Sequence, residues 1–168
     1  MKHVRRVMLL VLVVVACAGC DQATKTAAKT LLPPSGALTM LHNTITFVYT
    51  ENSGAFLSLG ASWPEGVRFA LFTVATGLFL AVACTWLLRA PRGSPCQQMG
   101  LALLVGGGVG NLIDRLAHHG RVVDFIRLAV GPVRTGVFNV ADVAITGGVL
   151  LLVVHALWDR PTPQPPDP

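Results

Sequence analysis

Carboxyl and amide side chains stand where the apolar runs of this sequence meet its polar segments: Asp21, Asn52, Asn111, Asp114, Asp124, Asn139 and Asp142. Two carboxyl groups held close together cannot both ionise cheaply, so near neutrality they share one proton. The ionised partner can then take a proton from a water attacking a carbonyl. The protonated partner donates to the carbonyl oxygen and later to the leaving amine. Asparagines can orient such a pair without adding a third charge. Asn111-x-x-Asp114 and Asn139-x-x-Asp142 repeat one spacing, which places amide and carboxyl on one helical face. No serine or cysteine of this set has an evident histidine base, and there is no HExxH. Cys17, Cys20, Cys84 and Cys96 form no CxxC or Cys/His pattern, so neither a metal, another cofactor nor a disulfide framework is expected. Structural roles compete for some of these residues. Asp114 beside Arg115 is expected to be an ion pair closing a helix end, Asn139 can cap a helix, and His118-His119 is expected to be solvated.

The elements that must position these groups are membrane helices. The chain of 168 residues is 52% hydrophobic and 12% charged, a membrane composition. Its spans are expected near 5–28, 67–88, 98–114 and 137–157. The apolar cores at 7–19, 99–113 and 143–157 each fall short of the roughly 20 residues that cross a bilayer. Each span must therefore take in its acidic residue, Asp21, Asp114 or Asp142, just below the membrane surface. An ionisable group at that depth is a functional-site candidate. Gly106-Gly-Gly-Val-Gly110 lies inside a span and is expected to be a close-packing surface rather than a phosphate loop. Residues 1–160 are expected to form one integral-membrane domain, with 161–168 a disordered proline-rich tail.

Lys2, Arg5 and Arg6 before the first span argue for a cytoplasmic N-terminus, which puts both termini on that side. Asp21, Asn111, Asp114, Asn139 and Asp142 then all reach the outer face, and Asn52 and Asp124 lie in outer segments. The first outer segment contains Thr44–Thr50, an alternating strand pattern, then a turn at Glu51–Gly54 and a possible returning strand at Ala55–Leu59. A small sheet on the membrane surface is expected there. The second outer segment, Leu116–Val137, is expected to lie against the interface. The net charge of +5 is ordinary membrane flanking, and no basic stripe interleaved with aromatics points to nucleic acid.

The motifs Asp21-Gln-Ala-Thr-Lys25, Glu51-Asn-Ser-Gly-Ala-Phe56, Gly107-Gly-Val-Gly-Asn-Leu-Ile-Asp-Arg115, Val122-Val-Asp-Phe125 and Phe138-Asn-Val-Ala-Asp142 occur in this order. Together they make the sequence resemble the bacterial lipoprotein signal peptidase, or type II signal peptidase. The resemblance runs from the first span to the fourth. It implies four transmembrane helices with a small extracytoplasmic β-cradle between the first two, and an aspartyl endopeptidase cleaving before a diacylglyceryl-modified cysteine. By position, the dyad it implies is Asp124 and Asp142, supported by Asp21, Lys25, Asn52, Gly54, Asn111, Asp114, Arg115 and Asn139. The partners it implies are prolipoproteins bearing that lipidated cysteine and membrane lipid. A monomer in the bacterial inner membrane is expected, with the site near the extracytoplasmic face. Gly-Ala-Phe-Leu after Ser53 departs slightly from the family's usual Gly-Ala-Ala-Phe, which leaves both aspartates untouched.

Two other functional classes stay open on the residues alone. Ala18-Gly19-Cys20 after an apolar core resembles a lipobox, which would make the chain itself a lipoprotein, although Cys17 is a poor substitute for the usual leucine. A proton-coupled transporter would need polar residues towards the cytoplasm, yet 101–105 and 149–154 are wholly apolar.

Overall fold

A computed structural model describes residues 2–33, 36–55, 59–89 and 94–158, with Lys2 described in its backbone alone. Among these residues four helices are long and apolar enough to cross a membrane: α1 (Lys2–Leu31), α2 (Glu65–Arg89), α3 (Pro95–Ala117) and α4 (Val140–Trp158). Each runs past its apolar core to include a polar end, so Asp21 lies inside α1, Asp114 inside α3 and Asp142 in the first turn of α4. The fourth helix starts at Val140 rather than 137, because Asn139 caps it. The proline-rich tail lies outside the described residues.

Helix α3 is the centre of the bundle, and its glycines are the reason. A Cβ on Gly106 would lie 3.2 Å from Val14 Cα of α1, and one on Gly107 would lie 2.5 Å from Ala141 O of α4. One on Gly108 would meet Leu80 of α2 at 2.5 Å. Successive glycines thus open successive faces of α3 to its three neighbours. In lipid such close backbone approach replaces the hydrophobic drive that holds helices together in water. The side chains left outside, including Met8, Leu12, Val15, Leu78, Val82, Leu150 and Val154, are apolar and exposed, as a lipid-facing surface must be.

Above the bundle lies an antiparallel sheet of order β1 (Leu38–Met40), β2 (Ile45–Asn52), β3 (Val122–Val130) and β4 (Val133–Arg134). The sheet expected between the first two helices is there, and the second outer segment completes it. That segment was expected to lie against the interface. It supplies β3, which pairs along β2 with Val122–Phe125 buried. Of the returning strand expected at Ala55–Leu59, residues 56–58 lie outside the described residues, and Ala55 N donates to Leu59 O at 2.8 Å. An eight-residue strand needs a partner of similar length, and the nine residues of β3 supply it. The register slips between Phe47 and Thr50, a bulge that falls beside Asp124.

After one α-helical turn, Glu65–Arg68, helix α2 passes through a π-helical stretch, Phe69–Ala75. Such stretches re-aim side chains and are frequent at functional sites. Here Phe72 stacks on Trp63, with centroids 6.0 Å apart, and lies under the Arg115 guanidinium at 5.9 Å. Gly60, at φ +73°, closes the turn above them. A Cβ there would come within 2.9 Å of Trp63 and 3.0 Å of Phe72.

Candidate active site

Three asparagines surround two carboxyl groups, and in each the amide orientation is dictated by what its oxygen accepts. Asn52 Oδ1 accepts from Gly54 N at 2.9 Å, so its NH2 faces Asp124 Oδ2 at 3.0 Å. Asn139 Oδ1 accepts from Asp142 N at 2.9 Å, so its NH2 faces Asp124 Oδ1 at 2.7 Å. Asn111 Oδ1 accepts from Lys25 Nζ at 3.0 Å, so its NH2 faces Asp142 Oδ1 at 3.0 Å. Flipping any of them would set an amide NH2 against another donor and its oxygen against a carboxylate. The carboxyl groups therefore receive N–H bonds in a fixed pattern.

The two Asn-x-x-Asp motifs turn out to do different work. Asn139 is the N-cap of α4, and its backbone N–H donates to Asp142 Oδ2 at 3.2 Å while its side chain takes Asp142 N. This is a reciprocal capping box, which anchors Asp142 to the start of the helix. Asn111 and Asp114 share a face of α3 turned towards α1, where both meet Lys25.

Lys25 is the hub of the buried charges. It lies 2.6 Å from Asp21 and 2.8 Å from Asp114, and with Asn111 this uses its three N–H donors. Asp114 was expected to pair with Arg115. Its partners are instead Lys25, Gln22 Nε2 at 2.8 Å and Val123 N at 2.9 Å. Consecutive residues on a helix point about 100° apart, so Asp114 faces α1 while Arg115 faces α2. Arg115 donates to Gly54 O at 3.3 Å and to Asn111 O at 3.5 Å. Asp21 Oδ1 accepts from Ala141 N at 2.9 Å, which ties α1 to the first turn of α4. The Gly110 position is kept open for Asp21, since a Cβ there would lie 2.7 Å from Asp21 Oδ2.

Every residue singled out from the sequence thus belongs to one network. Asp21, Lys25 and Asp114 form its base. Asn111 and Asn139 carry it to Asp142 and Asp124. Asn52, Gly54 and Arg115 close it on the outer side. Gln22 was missed, although it stands inside the Asp21–Lys25 motif. Asp124 is 2% exposed, and burial pushes its carboxyl up to about 6, aided by the charge of Asp142 and opposed by the Asn52 and Asn139 hydrogen bonds. Further out, Arg121 at 3.0 Å holds the Glu51 carboxyl below its ordinary range, on the exposed side of the same strands.

A cavity of about 380 Å³ opens beside Asp142. Asn111 and Arg115 line its polar end, and Ile145, Val149 and Leu150 of α4 line its apolar end. Thr76 of α2 faces them across the gap. The cavity can take a chain whose one end is apolar and whose other end presents a carbonyl to Asp142.

The chain was compared with known proteins. The family described as Signal peptidase (SPase) II matches residues 13–158. The lipoprotein signal peptidase of Mycobacterium tuberculosis is 35% identical over 159 residues, which covers 92% of this chain and 73% of that protein. The lipoprotein signal peptidase of Xylella fastidiosa is 35% identical over 163 residues and 95% of both chains. Two solved structures, each described as a bacterial membrane enzyme, superpose with a TM-score of 0.78 at 25% and 26% identity. They cover 90% of this chain and 88% and 94% of their own.

Proposed function

Since this chain belongs to the signal peptidase II family, aspartic endopeptidases of the membrane that remove the signal peptide from prolipoproteins, we propose that Asp124 and Asp142 are its catalytic dyad. The observation that carries this is the set of asparagines that aim their N–H groups at these two carboxyl groups. Asp142 sits in the first turn of α4, at the positive end of the helix dipole, and accepts N–H bonds from the Asn111 side chain and the Asn139 backbone. It is the base. Asp124 is buried under a strand and keeps its proton more readily, so it is the acid.

A water between them loses a proton to Asp142 as its oxygen attacks the scissile carbonyl, and the Asp124 proton passes to the carbonyl oxygen. Collapse of the tetrahedral intermediate breaks the C–N bond. The proton on Asp142 goes to the leaving nitrogen, and Asp124 recovers a proton from the intermediate's hydroxyl. The scheme uses no metal, and the oxygens of both carboxyl groups already accept N–H bonds. Cleavage should accordingly persist in excess EDTA. Loss on chelation with recovery on adding a single metal would replace this scheme with a carboxylate-bound ion.

The pH dependence has a definite sign. Asp124 must be protonated to act as acid, so raising the pH through about 6 removes the competent form. A kcat/KM profile in detergent is expected to fall about tenfold per pH unit above that point. A profile that rises through the same window would exchange the two roles or remove Asp124 from the dyad.

The substrate we read for this site is a prolipoprotein with a diacylglyceryl cysteine, whose acyl chains fit the apolar, lipid-level end of the cavity. The orientation that fits has both termini cytoplasmic and the dyad towards the extracytoplasmic face. The basic start of α1 lies at the end of the bundle opposite the sheet, where Arg6 donates to Leu87 O of α2 at 3.3 Å. We read the protein as a monomer with a single peptidase domain over 1–160. The test is complementation of a strain lacking this activity, with prolipoprotein cleavage as readout. Accumulation of uncleaved precursor despite insertion of the protein would refute the assignment.

A further inference from the structure

Another cavity, of about 650 Å³, opens at the sheet end of the bundle, between the start of α2 and the end of α3. Arg68 lies in the first turn of α2 and Arg115 in the last turn of α3, and both line it. The turn that follows α3 adds His119 and Arg121. Backbone bonds hold that turn over the helix end: Gly120 N donates to Arg115 O at 2.7 Å, and Arg121 N to His118 O at 3.1 Å. His119 and Gly120 both take positive φ, 51° and 84°, which folds the chain back tightly there.

The charge on this lining is one-sided. Three arginines stand against a single carboxylate, that of Glu65. Arg68 is fixed through Nη1 to Ala61 O at 2.7 Å, and Arg121 through Nη1 to the Glu51 carboxylate at 3.0 Å. Of five N–H donors, each therefore keeps four for another acceptor. Arg115 is only 8% exposed, and its Nε has no acceptor among the described residues. A buried cation with a donor left over favours an anion beside it.

The rest of the lining is apolar. Phe69 and Leu116 border the cavity and are exposed, as lipid-facing side chains are. The apolar spans of α2 and α3 end at this level, which is where headgroups meet acyl chains in a bilayer. A basic pocket between transmembrane helices at that depth takes an anionic headgroup. Guanidinium forks match phosphate oxygens two at a time. An acidic peptide uses the arginines alone, whereas an anionic lipid also lays its acyl chains along Phe69 and Leu116. We propose that this cavity binds an anionic phospholipid of the leaflet next to the sheet, its phosphate held by Arg68, Arg115 and Arg121. The cavity shares Arg115 with the one beside Asp142, but neither dyad carboxyl lines it.

The test uses the full-length protein, delipidated in neutral detergent, and native mass spectrometry with dioleoylphosphatidylglycerol or dioleoylphosphatidylcholine. Both lipids carry a phosphate, but only the first has a net negative charge. Phosphatidylglycerol is expected to bind about tenfold more tightly at low salt and to raise the melting temperature. R68Q/R121Q should bring its affinity down to that of phosphatidylcholine, while R68K/R121K keeps most of the preference. R127Q/R134Q, which removes the same charge from β3 and β4, should bind like the wild type. Equal affinities for the two lipids in the wild type would overturn the site, as would an equal loss in both glutamine variants. Displacement of the lipid by equimolar glycerol 1-phosphate would make this a site for free phosphate. Displacement by an equimolar peptide rich in Asp and Glu would make it a peptide site, and either result overturns the proposal. Lipid binding needs no turnover, so Asp142→Asn should bind like the wild type, and a failed dyad assignment would leave the lipid site standing.

Discussion

Asp124→Asn and Asp142→Asn are each expected to lower prolipoprotein cleavage by about 10³ to 10⁴, the scale of losing a positioned general acid or base. Both should insert into the membrane normally. An asparagine at 124 can still accept from Asn52 or Asn139 but cannot supply a proton to the carbonyl oxygen. An asparagine at 142 can still accept from Asn111 but cannot take a proton from water. The stability side has a sign of its own. Burial raises the Asp124 carboxyl from its ordinary value to about 6, so the folded chain holds a proton there that the unfolded chain releases. As pH rises from about 4 to about 6, this group therefore withdraws stability, and at neutral pH it opposes folding. Asp124→Asn should consequently melt at or above the wild-type temperature at pH 7. Single-turnover rates and melting curves in detergent on the same preparations check both halves. Near-wild-type turnover by either variant would take that residue out of the dyad.

The second large effect concerns the buried lysine cluster. Asp114→Asn removes one of the two carboxylates on Lys25 and weakens the bonds to Gln22 and Val123 N. Breaking a buried pair by removing one partner typically costs about 3–5 kcal/mol, because the surviving charge is left without compensation. Lys25→Met should cost more than Asp114→Asn, since it leaves both Asp21 and Asp114 facing each other without a cation. In these variants activity should fall in step with the folded fraction, whereas Asp142→Asn should lose turnover at a near-wild-type melting temperature. Measuring melting and turnover together separates the two kinds of residue. A normally melting but inactive Asp114→Asn would move Asp114 into the catalytic group and reopen the choice of dyad.

Much of this protein is legible in the chain itself. The apolar runs too short to cross a bilayer without their acidic ends required Asp21, Asp114 and Asp142 to sit at one depth, and the helices do include them. The glycine run of 106–110 announced close helix packing. The spacing Asn-x-x-Asp pointed to paired amides and carboxyls, and the order of the five motifs pointed to the family. These are local or one-dimensional properties, and a membrane restricts what they can become, because backbone in lipid must satisfy its hydrogen bonds within the element.

Partner choice between distant segments was settled only in three dimensions. Nothing adjacent in sequence shows that Asp114 turns to Lys25 across 89 positions and leaves Arg115 to Gly54 and Phe72. Direction around a helix decides it, and the direction is set by which neighbour each α3 glycine admits. Likewise β2 pairs with β3, some seventy positions further along the chain, because strand pairing rewards length and register across the fold rather than proximity along the chain. That pairing brings Asp124 over the start of α4, where the asparagine amides, each oriented by a donor on its oxygen, gather both carboxyl groups into one site.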